Sequence, residues 1–267
     1  VYIQLLILCL YRLQLLLDCL LLHLIGYTTL HGWDKDHKEA KKDFQKSVQI
    51  VRILWKGPFP PFIGRLRRYL YVHEEYVQPN FVLENDSVTL ARITDEYCIF
   101  AIMPDDVNVY DTGAYPFMYY AHACHAIKFV LMSHSTFHAV AESCQNYLDD
   151  STVDLTFFPN VGRCGSTLLC QMFSKIPGAL VMSEPYATSN AIHLFNKHIV
   201  DEKEYKALVT SAWKVQLKVQ LKADFDKIFI KPALFSSASM ETLKEAYPRI
   251  KIFVLTRHPK SVISSFV

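Results

Sequence analysis

No Cys-x-x-Cys pair occurs anywhere in this chain of 267 residues. Its seven cysteines, Cys9, Cys19, Cys98, Cys124, Cys144, Cys164 and Cys170, are odd in number and widely spaced. That pattern excludes a zinc site built from cysteine pairs and argues against a disulfide framework. An excess of one charge is also lacking: 28 Lys and Arg stand against 26 Asp and Glu, for a net +2. No basic run interleaved with aromatics occurs, so the sequence does not read as a general nucleic-acid binder. An initiator Met is missing too, and the expectation is a fragment or processed product, truncated at its C-terminal end at Val267. What is present is ordinary for a globular protein: 51% hydrophobic residues and enough length for one large domain or two small ones.

The most informative stretch is Phe157-Phe158-Pro159-Asn160-Val161-Gly162-Arg163-Cys164-Gly165-Ser166-Thr167-Leu168-Leu169. It reads as a buried strand, a turn and a helix. Unpartnered N–H groups and the dipole at a helix start attract anions, so the layout suits a phosphate. Arg163 adds a forked cation, and Ser166 and Thr167 add hydroxyls. This is not the loop G-x-x-x-x-G-K-[ST]: Asn160 stands where the first glycine belongs and Ser166 where the lysine belongs. The missing lysine counts against an ATPase or a small-molecule kinase, which is kept as the alternative nucleotide-binding reading. Cys164 invites a catalytic thiol reading, but a small residue filling a tight loop explains it better.

A second segment repeats the layout. Ile250-Lys251-Ile252-Phe253-Val254-Leu255-Thr256 is rich in β-branched and aromatic residues and reads as a strand. It leads into Arg257-His258-Pro259-Lys260-Ser261-Val262-Ile263-Ser264-Ser265, with Pro259 suited to the first turn of a helix. Arg163-Cys164-Gly165-Ser166-Thr167-Leu168 resembles the 5′-phosphosulfate loop of sulfotransferases that use 3′-phosphoadenosine 5′-phosphosulfate (PAPS). Arg257 and Ser265 resemble the Arg and Ser of that family's 3′-phosphate motif. The resemblance covers residues 153 to 267.

The resemblance implies an α/β fold with a P-loop type parallel sheet flanked by helices. It also implies PAPS as the donor, bound by Gly162, Arg163, Cys164, Gly165, Ser166, Thr167, Leu168, Arg257 and Ser265, with no metal required. The acceptor would be a hydroxyl or amine of a carbohydrate or small molecule. Glu184, after the strand Ala179–Ser183, resembles the general base of carbohydrate sulfotransferases; capping the next helix or pairing with Arg163 are its structural alternatives. Arg163 would stabilise the leaving group. Lys231, at the end of the strand Lys227–Lys231, matches a family lysine that reaches the sulfuryl group; an exposed strand-end lysine is the plain alternative. The family's histidine base two residues later is replaced by Ala233, which leaves Glu184 and His193 as proton acceptors and keeps a non-catalytic reading open.

Along the chain, the expected order is an apolar leader (1–33), a mixed α+β N-terminal region of unread role (34–150) and the sulfotransferase-like domain (151–267). Residues 1 to 32 read either as a signal anchor, as in Golgi carbohydrate sulfotransferases, or as a buried or amphipathic helix, since Arg12 and Asp18 interrupt the run. Lys35, Lys38, Lys41 and Lys42 favour the cytoplasmic side for the downstream chain, so location stays cytoplasmic or Golgi membrane. Residues 34 to 54 and 115 to 148 carry apolar positions at helical spacing, and residues 80 to 104 suggest a meander of three short strands. His122, His125, His134 and His138 fit no zinc spacing and read as satisfied or exposed side chains. Beyond Asp154, strands at 154–158, 179–183, 227–231 and 250–256 alternate with helices at 166–176, 190–198, 202–218, 239–246 and from 260 onward.

Overall fold

The computed structural model describes residues 47–56, 69–144, 153–218 and 225–265, together with the isolated positions Leu13, Leu17 and Leu20. The anchor reading of residues 1 to 32 falls outside the described residues; among those described, no helix is long and apolar enough to cross a membrane. The fold is α/β. A four-stranded parallel sheet carries helices, and a five-stranded antiparallel sheet precedes it in the chain.

The antiparallel sheet comprises β1 (Val48–Lys56), β2 (Tyr69–Val77), β3 (Val88–Ile93), β4 (Tyr97–Ile102) and β5 (Lys128–Ser133), in the order β2-β1-β5-β4-β3. Three sequence expectations change here. The described part of residues 34 to 54 is strand β1, not helix. Of the three meander runs, Phe81–Glu84 is a short helix, α1, while the other two are β3 and β4. The stretch 115 to 148 is not one helix: helix α2 (Met118–His125) and helix α3 (His134–Ser143) flank β5. Phe129, Val130, Leu131 and Met132 are all buried in β5. Four successive buried residues suit a central strand covered on both faces, and a run that short has no periodicity to separate it from a buried helix. Ser133 then caps α3 by accepting the Thr136 N–H at 3.2 Å.

The parallel sheet contains β6 (Asp154–Phe157), β7 (Ala179–Ser183), β8 (Lys227–Lys231) and β9 (Lys251–Ile252), in the order β7-β8-β6-β9. Helix α4 (Ser166–Phe173) joins β6 to β7. Helices α5 (Ala187–Asn196) and α6 (Glu202–Gln216) join β7 to β8, and α7 (Met240–Ala246) leads to β9 and α8 (Pro259–Ile263). The expected elements are all present: β7 and β8 have the expected bounds, α5 and α8 start up to three residues earlier, and the others are shorter by one or more residues. The largest shortfall is β9, where seven residues were expected: beyond Ile252 only Leu255 makes a bridge, to Asn160. The partner strand supplies the reason, because Pro159 has no N–H to continue the ladder and offers only its carbonyl, which accepts from Leu255 N–H at 2.9 Å.

Alternation in β6 distributes the core. Phe157 meets Trp213 of α6 edge-on at 6.1 Å, whereas Phe158, one residue on, meets Phe173 at the end of α4 at 5.6 Å and stacks on Phe253 at 5.3 Å. Consecutive side chains point to opposite faces, so helices are needed on both. Helix α6 starts on Asp201, whose carboxylate accepts the Glu204 N–H at 2.7 Å, with Glu202 and Glu204 in the positive first turn. Helix α5 packs along β3, the edge of the antiparallel sheet, where Asn190 Oδ1 accepts from Ile93 N–H at 3.4 Å. One continuous apolar core therefore spans both sheets.

The histidines of the N-terminal region have local partners. His134 Nδ1 and His138 Nε2 each lie 3.3 Å from Glu204 Oε1, which ties α3 to α6. His122 is fully buried in α2 and bonds Thr89 Oγ1 at 2.8 Å. Burial pushes its pKa down to about 4. Between that value and the ordinary value near 6.5, the unfolded chain binds a proton that the folded one refuses. Stability from this site is thus complete above pH 6.5 and drains away as pH falls toward about 4. Chemical denaturation across this window should show a loss of up to about 1.4 kcal/mol per pH unit that disappears in His122→Gln.

Candidate active site

Strand β6 sits between β8 and β9, and the chain leaves it toward β7 on one side but enters β9 on the other. The carboxyl ends of β6 and β9 therefore form a topological switch point, where open α/β sheets leave a crevice for ligands. The two segments singled out in the sequence leave β6 and β9 at that crevice.

Asn160 organises the turn after β6. Its Oδ1 accepts from Gly162 N–H at 3.0 Å, its Nδ2 donates to the Pro232 carbonyl at 3.5 Å, and its backbone bridges to Leu255. The turn then runs through left-handed conformations at Gly162 (φ 72°), Arg163 (φ 51°) and Gly165 (φ 90°). Glycine adopts this region freely, whereas Arg163 is strained in it. Apart from their chain neighbours, no atom lies within 4 Å of where a Cβ on Gly162 or Gly165 would sit, so the turn opens onto free space at both. Gly165 caps α4, and its carbonyl accepts from Leu169 N–H at 3.1 Å. The N–H groups just before Leu169 are the open donors of the helix start. Ser166 is buried under the turn, Cys164 is half-buried with Sγ 4.0 Å from Asn160 Oδ1, and Thr167 is half-buried. Leu168 is 62% exposed, and the polar group it can offer an anion is its backbone N–H.

The two arginines and Ser265 meet across this crevice. Arg257 Nη1 donates to the Arg163 carbonyl at 2.8 Å. Arg163 in turn donates from Nε to Ser265 Oγ at 3.2 Å and from Nη2 to the Ser265 carbonyl at 3.0 Å. Residues 94 and 102 positions apart in the chain thus share one network. The Arg163 guanidinium reaches over to Ser265. Two exposed guanidinium groups and a hydroxyl gathered beside a helix N-terminus make a site whose chemistry suits an anion.

A second cluster lies at the ends of β7 and β8. Lys231 is 2% exposed and forms an ion pair with Glu184 Oε1, whose side chain is 19% exposed. The exposed-lysine alternative is therefore corrected, and Glu184 pairs with Lys231 rather than with Arg163. Parallel pairing of β7 with β8 places Ser183 beside Lys231, and Glu184 N–H donates to the Lys231 carbonyl at 2.7 Å. Glu184 holds a left-handed φ of 54°, a costly conformation for a residue with a Cβ. Beneath the pair, burial pushes the Cys170 thiol up to about 11. His193, the other candidate proton acceptor, is exposed on α5, and Ala233 is buried.

What the sequence did not reveal is the roof of this cluster, which comes from the N-terminal region. Ser183 Oγ donates to the Pro116 carbonyl at 2.6 Å and pins the segment before α2 onto the strand end. The Phe117 ring then sits 4.8 Å from Lys231 Nζ, a cation–π contact. Tyr119 lies with its ring parallel to Phe117 (3°, 5.4 Å) and 5.6 Å from Tyr186. Burial, with the nearby Glu184 charge adding to it, pushes the Tyr119 hydroxyl up to about 12. Among the described residues, no group of three His, Cys, Asp or Glu side chains is arranged to hold a metal.

Removing one member of a buried ion pair leaves the other desolvated and uncompensated. Lys231→Met should therefore lower stability by about 3 kcal/mol in urea denaturation. Adding Glu184→Gln to that variant should restore most of the loss, because the stranded charge is gone.

Compared with family models, with curated proteins and with solved structures, the chain matches none.

Proposed function

We propose that this chain is a P-loop type sulfotransferase that moves a sulfuryl group from PAPS to a hydroxyl of a carbohydrate or small molecule. The observation that carries the reading is the meeting of Arg163, Arg257 and Ser265 at the switch point between β6 and β9. In this reading the turn from Gly162 to Leu168 holds the 5′ end of the donor, and Arg257 and Ser265 hold the 3′-phosphate. The donor, when bound, supplies the sulfuryl group and a phosphate leaving group.

Each residue then has a distinct role. Arg163 exchanges its hydrogen bonds to Ser265 for the anion and offsets charge on the leaving oxygen. Lys231 fixes Glu184 through Oε1, which leaves Oε2 to take the acceptor's proton. Burial of Lys231 beside Phe117 keeps that cation in place and water away from it.

Calorimetry with 3′-phosphoadenosine 5′-phosphate (PAP), the desulfated product, tests the donor site. Arg163→Ala should cost about 2–3 kcal/mol of PAP affinity while leaving the fold intact. Unchanged affinity defeats the reading, and stabilisation by ATP with Mg²⁺ in place of PAP supports a nucleotide kinase instead. In a sulfate-transfer assay, Glu184→Gln should lower kcat by roughly 10²–10⁴-fold with PAP binding nearly unaltered. Wild-type turnover in that variant removes Glu184 from the base role, and PAP binding without transfer to any acceptor indicates a protein that keeps the fold but not the chemistry.

A further inference from the structure

Glu184 keeps its left-handed conformation (φ 54°) between two neighbours that the N-terminal region holds in place. Before it, Ser183 is 1% exposed, and its hydroxyl donates to the Pro116 carbonyl at 2.6 Å. After it, the Tyr186 ring lies 5.6 Å from that of Tyr119. Its ion-pair partner, Lys231, lies against the Phe117 ring at 4.8 Å. Residues 116–119 thus touch the residue before Glu184, a residue after it and its counter-ion at once. All three contacts act on Glu184 through a neighbour.

Ser183 is the joint of this clamp. Parallel register sets it beside Lys231 of β8. Its hydroxyl is also hydrogen-bonded to the Cys170 thiol of α4, which fixes it further. Removing the hydroxyl takes away this donor to the Pro116 carbonyl and frees the segment to lift. Phe117 then leaves the Lys231 ammonium, and water enters beside a cation that is 2% exposed. A left-handed residue with a Cβ keeps its conformation only while its surroundings dictate it, so a loosened clamp lets Glu184 relax. A carboxylate that has swung away no longer meets the acceptor's proton.

We propose that Ser183 is a positioning residue for the Glu184 carboxylate and that it acts by pinning residues 116–119 over the Lys231–Glu184 pair. The N-terminal region thereby serves the candidate site without touching the reacting atoms. Positioning of the pair stands on these contacts alone, whereas its consequence for turnover rests on the sulfotransferase reading.

The test pairs proton–nitrogen NMR with kinetics, both on the full chain. A buried, ion-paired ammonium exchanges its protons slowly, so Lys231 should give its own signal, assigned by its loss in Lys231→Arg. In Ser183→Ala that exchange should quicken by about tenfold. Ile228→Val, a change in the buried core of β8, should leave the rate within about twofold of wild type despite its own loss of stability. Transfer from PAPS is followed with methyl β-galactopyranoside and para-nitrophenol as acceptors. Ser183→Ala should lower kcat by about tenfold and keep the acceptor KM and the PAP affinity within about twofold of wild type. Ile228→Val should alter none of the three. Should circular dichroism show that Ser183→Ala does not fold, Phe117→Leu replaces it with the same expectations. No slow Lys231 signal in the wild type, an exchange rate unmoved by Ser183→Ala, or an equal response to Ile228→Val overturns the proposal. So does an unchanged kcat in Ser183→Ala where the wild-type chain transfers sulfate. Absence of transfer by the wild-type chain, with an ammonium signal that responds to Ser183→Ala, removes the sulfotransferase reading and leaves the positioned pair standing.

Discussion

One buried side chain ties the candidate donor site together. Asn160, in the turn after β6, has three attachments: its own turn through Gly162, the end of β8 through the Pro232 carbonyl, and the β9 segment through its backbone bridge to Leu255. The two side-chain hydrogen bonds are worth about 1 kcal/mol net each, and the bridge is carried by Leu255 N–H donating to the Pro159 carbonyl at 2.9 Å and Val161 N–H donating to the Leu255 carbonyl at 3.3 Å. Their joint effect is geometric: the ends of three neighbouring strands are brought into fixed relation where the sheet switches direction. The left-handed turn at Gly162 and Arg163, the start of α4, and the reach of Arg257 to the Arg163 carbonyl all build on that relation. A glycine in place of Asn160, as in the nucleotide-binding loop G-x-x-x-x-G-K-[ST], would supply none of these side-chain bonds.

The two clusters share a second property. Among the described residues, left-handed backbone at a residue other than glycine occurs at Arg163, Glu184 and His198. Two of these three carry the proposed chemistry. Such conformations cost on the order of 1–3 kcal/mol and persist only where the surroundings dictate them. Around Glu184 the dictating contacts are the Lys231 ion pair and the hydrogen bond from its own N–H to the Lys231 carbonyl. Around Arg163 they are Ser265 and Arg257. Local order at each position is held by residues far away in sequence.

That distance explains what could and could not be read from the sequence. Strands β7 and β8 were legible because short apolar runs bounded by polar turns recur between helical patterns. The turn at Gly162–Ser166 and the Arg257 segment were legible because their residue types are unusual and both follow a strand. Strand β5 was not, since Phe129 to Met132 are as consistent with a buried helix as with a strand. The Lys231–Glu184 pair was not legible either, because it exists only through the register that sets Ser183 against Lys231. The aromatic roof was hidden for the same reason: Pro116 and Ser183 are 67 positions apart, and only the tertiary fold joins them.

The continuous core between the two sheets has a consequence for how this chain comes apart. Helix α5 leans on β3, α3 is tied to Glu204 of α6, and Trp213 of α6 reaches the sheet at Phe157. Helices α5 and α6 thus serve as walls for both halves at once. Neither half has a surface of its own to fall back on, so heating should melt them together in one cooperative step. Exchange of the antiparallel unit for a foreign one would succeed only if the newcomer brought a matching face for those shared walls.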